Sequence, residues 1–468
     1  MGVKKDKPTV LQPLSCYDAR NKQTIFLENS MASKTRIAIT TLAVVVISAV
    51  AFIPKVIGLG IHDLTINNLI ALIPSEADSR LAIDESTFDS GWFSSTATVS
   101  ANYTPFGAES ITVNFDFTIK HGPILLTNDG LRFGIAYAEI TPNIADTLPI
   151  FGTAIDLSFP DTLLELYAGF DQSLLIAITV EPLSHATNNE EFEFAGLSAS
   201  FLARADQSAE LLVNIGKLSV KENLDNLAFT IDGIDLISKS TRISDILAPT
   251  LATFSIPNIK ISAPATLTIS NILASSELRA SSNANAVQLT QHIATQSIVG
   301  DSPLQSFDWQ LELDEVQRQL VSDYYDLLSE LQAQSGADAQ AAALKINQIS
   351  QELSLLVMNN PLVINNLFTA NAYDGAHRAE LKLRWVGLPK LDNIARLNMN
   401  EAIAALEMSL DIALDFDSIM RSPAAEQVKA YVEQGFIIIE NEKVLVKATL
   451  NNSQLTLNGE DIPLDQFF

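Results

Sequence analysis

Ile111-Thr112-Val113-Asn114-Phe115-Asp116-Phe117-Thr118-Ile119-Lys120 alternates apolar and polar side chains without a fault. Period two is the signature of a strand, because successive Cβ atoms leave it on opposite sides. One face is apolar and the other wet, as in an antiparallel sheet with one covered side. The same texture returns at Phe254–Ser262, His377–Trp385, Val444–Leu450 and Leu455–Leu457. In the second of these, Leu381, Leu383 and Trp385 oppose Glu380, Lys382 and Arg384. Turn chemistry separates the runs. Asn128-Asp129-Gly130 parts Pro123–Thr127 from Leu131–Ile140, and Asp374-Gly375 parts Leu362–Ala370 from His377–Trp385.

Helical spacing intrudes in few places. Leu313, Val316, Leu320, Tyr324, Leu327 and Leu331 recur at i+3/i+4 and predict a helix of about six turns. Ser335-Gly336-Ala337-Asp338 interrupts it. Ala342, Ile346, Ile349, Leu353 and Leu356 then carry a second helix to Asn359-Asn360-Pro361. This pair is expected to cover part of the sheet, with partner docking as the other use. His62–Ile73 and Pro423–Gly435 read as short helices.

Ahead of the body lies Ile37–Ile53, an apolar run without a charge, which approaches spanning length if the residues to Gly60 join it. The 36 residues before it carry seven cations against three carboxylates, or +4; the chain as a whole is −26, which leaves −30 for the rest. A basic flank stays cytoplasmic, so the N-terminus is expected inside and the bulk of the chain in the periplasm of a bacterial inner-membrane protein. Met31 opens a second start-like segment. Ala49-Val50-Ala51 would suit signal cleavage, although the apolar character continues beyond it and a retained single-pass anchor is the preferred reading.

The expected fold is mainly β with an α-helical insertion: an N-terminal transmembrane helix, then a long antiparallel, curved or elongated sheet capped by helices. The expected organisation is a basic tail (1–36), an anchor (37–58), a β-rich region (59–305), the helical pair (306–360) and a β-rich C-terminal region of the same body (361–468).

Composition excludes several chemistries. Cys16, in the tail, is the single cysteine, so the body has neither disulfide nor thiolate metal site. A body this acidic is repelled by nucleic acid and by anionic lipid. No G-x-S-x-G, H-E-x-x-H, P-loop or C-x-x-C motif occurs, and His62, His121, His185, His292 and His377 are widely scattered. No catalytic residue, cofactor or metal is expected.

Two stretches stand out. In Phe88-Asp89-Ser90-Gly91-Trp92-Phe93-Ser94-Ser95-Thr96-Ala97 a glycine bend precedes two aromatics and a hydroxyl-rich strand; a structural bulge is preferred here over a ligand-contacting aromatic platform. In Ile119-Lys120-His121-Gly122-Pro123 the histidine precedes strong turn punctuation. It is expected to satisfy backbone carbonyls there rather than act as a base. With the anchor, these blocks and the late Leu455-Thr456-Leu457-Asn458-Gly459, the chain from about Met31 to Phe468 resembles the YdgA-like family of bacterial inner-membrane-anchored envelope proteins. The resemblance implies a Gram-negative cell and a periplasmic β-rich body. It brings no activity and no catalytic or binding residues. Its motif positions, Gly91, Trp92, Phe93, Ser94, Ser95, His121, Gly122, Pro123, Asn458 and Gly459, are expected to be structural.

The functional expectation is a non-enzymatic envelope protein that holds lipid or another hydrophobic ligand on its sheet. The alternative is an interaction module that binds an envelope protein partner through the helical pair or a sheet edge.

Overall fold

The computed structural model describes residues 81–464 apart from 91–93, 104–110, 145–159, 188–189, 223–226, 263–264, 282, 284, 324–349 and 389–390. The expected anchor, the His62–Ile73 helix, and Gly91, Trp92 and Phe93 lie outside the described residues. Among the described residues no helix is long and apolar enough to cross a membrane.

Among the described residues twenty-five strands pair antiparallel in one sheet. The first five are β1 (Leu81–Ser90), β2 (Ser94–Tyr103), β3 (Ile111–His121), β4 (Ile124–Thr127) and β5 (Gly130–Ile144). Then come β6 (Thr162–Gly169), β7 (Leu174–Val180), β8 (Leu183–Ala186), β9 (Glu190–Phe194) and β10 (Leu197–Ala203). They are followed by β11 (Ala209–Ile215), β12 (Leu218–Glu222), β13 (Leu227–Ile231), β14 (Ile234–Ser240) and β15 (Thr250–Ser262). Long strands follow: β16 (Thr266–Ala280), β17 (Ala286–Val299), β18 (Leu304–Gln317), β19 (Leu362–Ala372) and β20 (Gly375–Trp385). The last are β21 (Leu406–Asp415), β22 (Ile438–Glu440), β23 (Lys443–Asn451), β24 (Gln454–Leu457) and β25 (Glu460–Ile462).

The fold-deciding stretch is β3, and the other four alternating runs lie within β15, β20, β23 and β24. Tight turns set the registers. Tyr373-Asp374, Asn441-Glu442, Asn452-Ser453 and Asn458-Gly459 each carry two consecutive positive φ angles, the geometry of two-residue hairpins. Among the described residues β1 pairs only with β2 and β25 only with β24, so the sheet is open at both ends.

One expectation is corrected. Leu313 and Val316, read as the start of a helix, belong to β18, and helix begins at residue 318 rather than 306. Phe307, Trp309, Leu311 and Leu313 also fit period two. Pairing decides, since Leu313 stands between Leu289 and Ile364. The second helix is described over 350–359. The expected Pro423–Gly435 helix is observed at Ala425–Glu433.

A crease crosses the middle of the sheet. β7 and β8 are one strand broken at Glu181-Pro182; β9 and β10 break at Ala195-Gly196, β11 and β12 at Gly216-Lys217, and β13 and β14 at Asp232-Gly233. Pairing aligns these breaks side by side: Val180, Leu197, Ile215 and Ile234 flank one side, and Leu183, Phe194, Leu218 and Ile231 the other. Glycine is needed because the backbones touch. A Cβ on Gly196 would stand 2.8 Å from the Val180 carbonyl oxygen, and one on Gly216 2.8 Å from that of Ala195. The inside of the bend is the core: Ile178, Val180, Phe194, Leu197 and Ala199 are buried, with Leu183, Phe192 and Leu218 packed on them.

Candidate functional site

Because paired residues of an antiparallel sheet share a face, the registers can be followed from strand to strand. From Ala97 the path runs through Phe117, Ile140, Leu164, Ile178, Ala199, Val213 and Leu236. It continues through Phe254, Ala274, Ile293, Trp309, Phe368, Ala379, Ile412 and Val446. Every member is apolar over sixteen strands. The neighbouring path on the opposite face begins Thr96–Thr118–Glu139–Glu165 and ends Glu380–Asp411–Lys447. Between those ends the opposite path is mixed, with Ala177, Leu212, Ile237 and Leu367 among Ser200, Thr253, Ser275, His292 and Gln310, so one face is apolar along its whole length and the other is polar at its ends.

Cover on the apolar face is uneven. Where the crease folds the β8–β9–β12–β13 arm inward, the stripe is closed and Ile178 is only 3% exposed. Farther along it opens, with Ile293 36% and Phe368 39% exposed. The apolar stripe is thus covered by the arm near Ile178 and partly exposed at Ile293 and Phe368 on β17 and β19. Such an apolar surface suits an aliphatic chain or other apolar ligand.

The two sequence blocks meet at the N-terminal end of this face. Ser95 pairs with Ile119, and its Oγ lies 2.9 Å from His121 Nε2. The imidazole therefore binds a side-chain hydroxyl rather than the expected backbone carbonyls. A serine beside a histidine also begins a nucleophile–base pair, but Ser95 is buried. Among the described residues no carboxylate bonds His121, the position that the third member of such a group would take. Ser94 pairs with Lys120 beside it. Asn458 sits at the far end of the sheet, accepting from Lys447 N and donating to the Phe436 carbonyl, with Gly459 completing the turn.

Gly122 and Pro123 turn the chain out of the sheet into the β4–β5 hairpin, which folds back over the polar face. Lys120 Nζ donates to the Leu126 carbonyl at 2.9 Å, and the Tyr167 hydroxyl to the Phe133 carbonyl at 2.8 Å. The Asn128 amide nitrogen bonds Glu165 at 3.1 Å. Beneath the hairpin the Tyr137 hydroxyl donates a very short bond to the Glu165 carboxylate. Burial, then this carboxylate, pushes the phenol far above the ordinary tyrosine range. Leu125 points inward and is fully buried, whereas Ile124, Leu126, Leu131 and Phe133 point outward, 60–71% exposed. These four form the cross-strand pairs Ile124–Phe133 and Leu126–Leu131. Leaving such side chains in water forgoes about 1.5–3 kcal/mol apiece relative to full burial. Sequence reading did not single them out, because Ile124-Leu125-Leu126 is apolar on both faces.

Elsewhere, Ser418 and His377 lie 3.2 Å apart, but the hydroxyl is buried and belongs to the cap of the Phe416–Arg421 helix, with Asp415 accepting from Ser418 N. Among the described residues no group of three or more His, Cys, Asp or Glu side chains is placed to hold a metal.

A family model described as a bacterial protein of unknown function (DUF945) matches residues 34–465. No curated protein and no solved structure matches the chain.

Proposed function

The chain belongs to this bacterial family, DUF945, and from that premise we propose that it is a non-enzymatic, YdgA-like envelope protein that shelters lipid acyl chains on the apolar face of its sheet. In this reading Ile37–Ile53 anchors it in the inner membrane, with the N-terminus cytoplasmic and the sheet periplasmic. The supporting observation is the unbroken apolar stripe, closed near Ile178 and open at Ile293 and Phe368. An apolar floor left half open over several strands is a cost in water unless a ligand covers it.

The test is photocrosslinking of the full chain in cells, with benzoylphenylalanine placed at Phe368 on the stripe or at Gln310 on the opposite face. The expected result is lipid adducts at position 368 and none at 310. Adducts to protein at 368, or equal lipid labelling at both, would refute the reading and favour an interaction module.

A further inference from the structure

We propose that the outward face of the β4–β5 hairpin seats on the lipid bilayer and stands the N-terminal edge of the sheet on the membrane. The inference rests on the anchored reading above and adds a second membrane contact to it. Ile124, Leu126, Leu131 and Phe133 form one exposed apolar surface, and the hairpin that carries them is held rigidly from below through Lys120, Tyr167 and Asn128. The surface is a built feature, since the same hairpin buries Leu125 completely on its other side.

Position and charge select the occupant. The strand order β1–β2–β3–β5 places the hairpin three strands from β1, at the N-terminal edge of the sheet, although Leu81 stands at the other end of those strands: it pairs with Tyr103 and through it with Ile111, ten residues before His121. The apolar run Ile37–Ile53 precedes this edge in the chain, so the patch belongs to the edge of the sheet nearest the anchor in sequence. The charges beside it are paired: Arg132 with Asp129 at 2.6 Å, and Lys120 with Glu139 at 3.1 Å. A neutral apolar patch on a chain of net charge −26 disfavours both a second copy of that chain and an anionic surface. It suits zwitterionic lipid, with the side chains buried at the boundary of headgroups and acyl chains. The open stripe would then begin at the bilayer from which a lipid enters.

The test uses the full chain carrying Cys16→Ser and Leu131→Cys, labelled with nitrobenzoxadiazole and reconstituted into phosphatidylcholine–phosphatidylethanolamine vesicles. A matched chain carries the label at Gln310→Cys, on the same face as the hairpin but eight strands beyond β6. Doxyl lipid should quench the label at 131 by about twofold or more, as expected for insertion ~5–10 Å into the boundary, and leave the label at 310 unchanged. Co-flotation separates the two ideas. A chain that stays out of the vesicles overturns the anchor and the hairpin seat together. A chain that floats with an unquenched label at 131 overturns the seat alone, and a blue-shifted but unquenched label there means the patch is covered by protein.

Discussion

Gly122 faces Gly134 so closely that a Cβ added to Gly122 would stand 1.8 Å from the Gly134 carbonyl oxygen. Their backbones also exchange bonds through neighbours, Gly122 N to the Ile135 carbonyl and Gly134 N to that of Pro123. The His121-Gly122-Pro123 block is thus the pivot on which the hairpin leaves the sheet.

Gly122→Ala should therefore release the hairpin. No side chain can yield, because the obstructing atom is backbone, so the expected loss is at or above the ~1–3 kcal/mol typical of overpacking. Urea unfolding monitored by circular dichroism measures it, and hydrogen exchange should show the loss of protection concentrated at residues 122–135. An unchanged midpoint would contradict the close approach.

The Ser95–His121 bond joins the two sequence blocks and is expected to stabilise the fold. Ser95→Ala should cost ~0.5–1.5 kcal/mol, with some added penalty for the unpaired imidazole. In a double-mutant cycle with His121→Ala the coupling should approach the whole effect of either single change. Zero coupling in urea melts would remove the bond from the account.

How far the fold was legible follows from these positions. β3 was readable because its alternation is unbroken. The crease was written as Val180-Glu181-Pro182-Leu183, Phe194-Ala195-Gly196-Leu197, Ile215-Gly216-Lys217-Leu218 and Ile231-Asp232-Gly233-Ile234, in each of which glycine or proline sits between apolar residues three apart. Their unequal spacing hides them from a search for a fixed period, and only strand pairing lines them up. Leu313 fitted both periods, and its two cross-strand partners decided. The stripe itself is a property of sixteen registers, which no local reading supplies.

Gly196→Ala and Gly216→Ala test the crease. Each Cβ would meet a carbonyl oxygen at 2.8 Å, and Gly196 also has φ +95°, outside the range of alanine. Each change should lower stability by ~1–3 kcal/mol, visible as a reduced urea midpoint. The Ala control is Gly435→Ala, at φ +80° but with open space around it, which carries the backbone strain alone. A loss at Gly196 no larger than at Gly435, or an unchanged midpoint for Gly216→Ala, would argue against backbone contact across the fold line.

Asp415 gives a pH dependence. The Ser418 amide hydrogen, foremost, holds its carboxyl below the ordinary aspartate value of 3.8, with smaller help from the Ser418 hydroxyl, His377 and Arg421. A depressed folded value means stability that is present above 3.8 and is lost as the pH falls from there through the lower folded value. Asp415→Ala should cost about 0.5–2 kcal/mol at neutral pH as a lost helix cap, whereas Asp415→Asn should keep most of the cap and flatten the acid limb. Chemical melts between pH 2 and 7 distinguish them, and an acid limb unaltered in Asp415→Asn would sink the assignment.

The stripe predicts opposite outcomes for the same chemical change at two points along it. Phe368, 39% exposed, can turn an introduced carboxylate toward water, so Phe368→Asp should fold and cost no more than about 1–2 kcal/mol. Ile178 is 3% exposed where the arm covers the stripe, and Ile178→Asp would bury an unpaired charge and should not fold. A folded Phe368→Asp chain places a charge on the apolar floor between Trp309 and Ala379. It should therefore lose most lipid crosslinking from a photoreactive group at Ile293, while a charge at Gln310 on the other face should leave it intact. Undiminished crosslinking in Phe368→Asp would mean that the ligand, if lipid, does not run along the stripe.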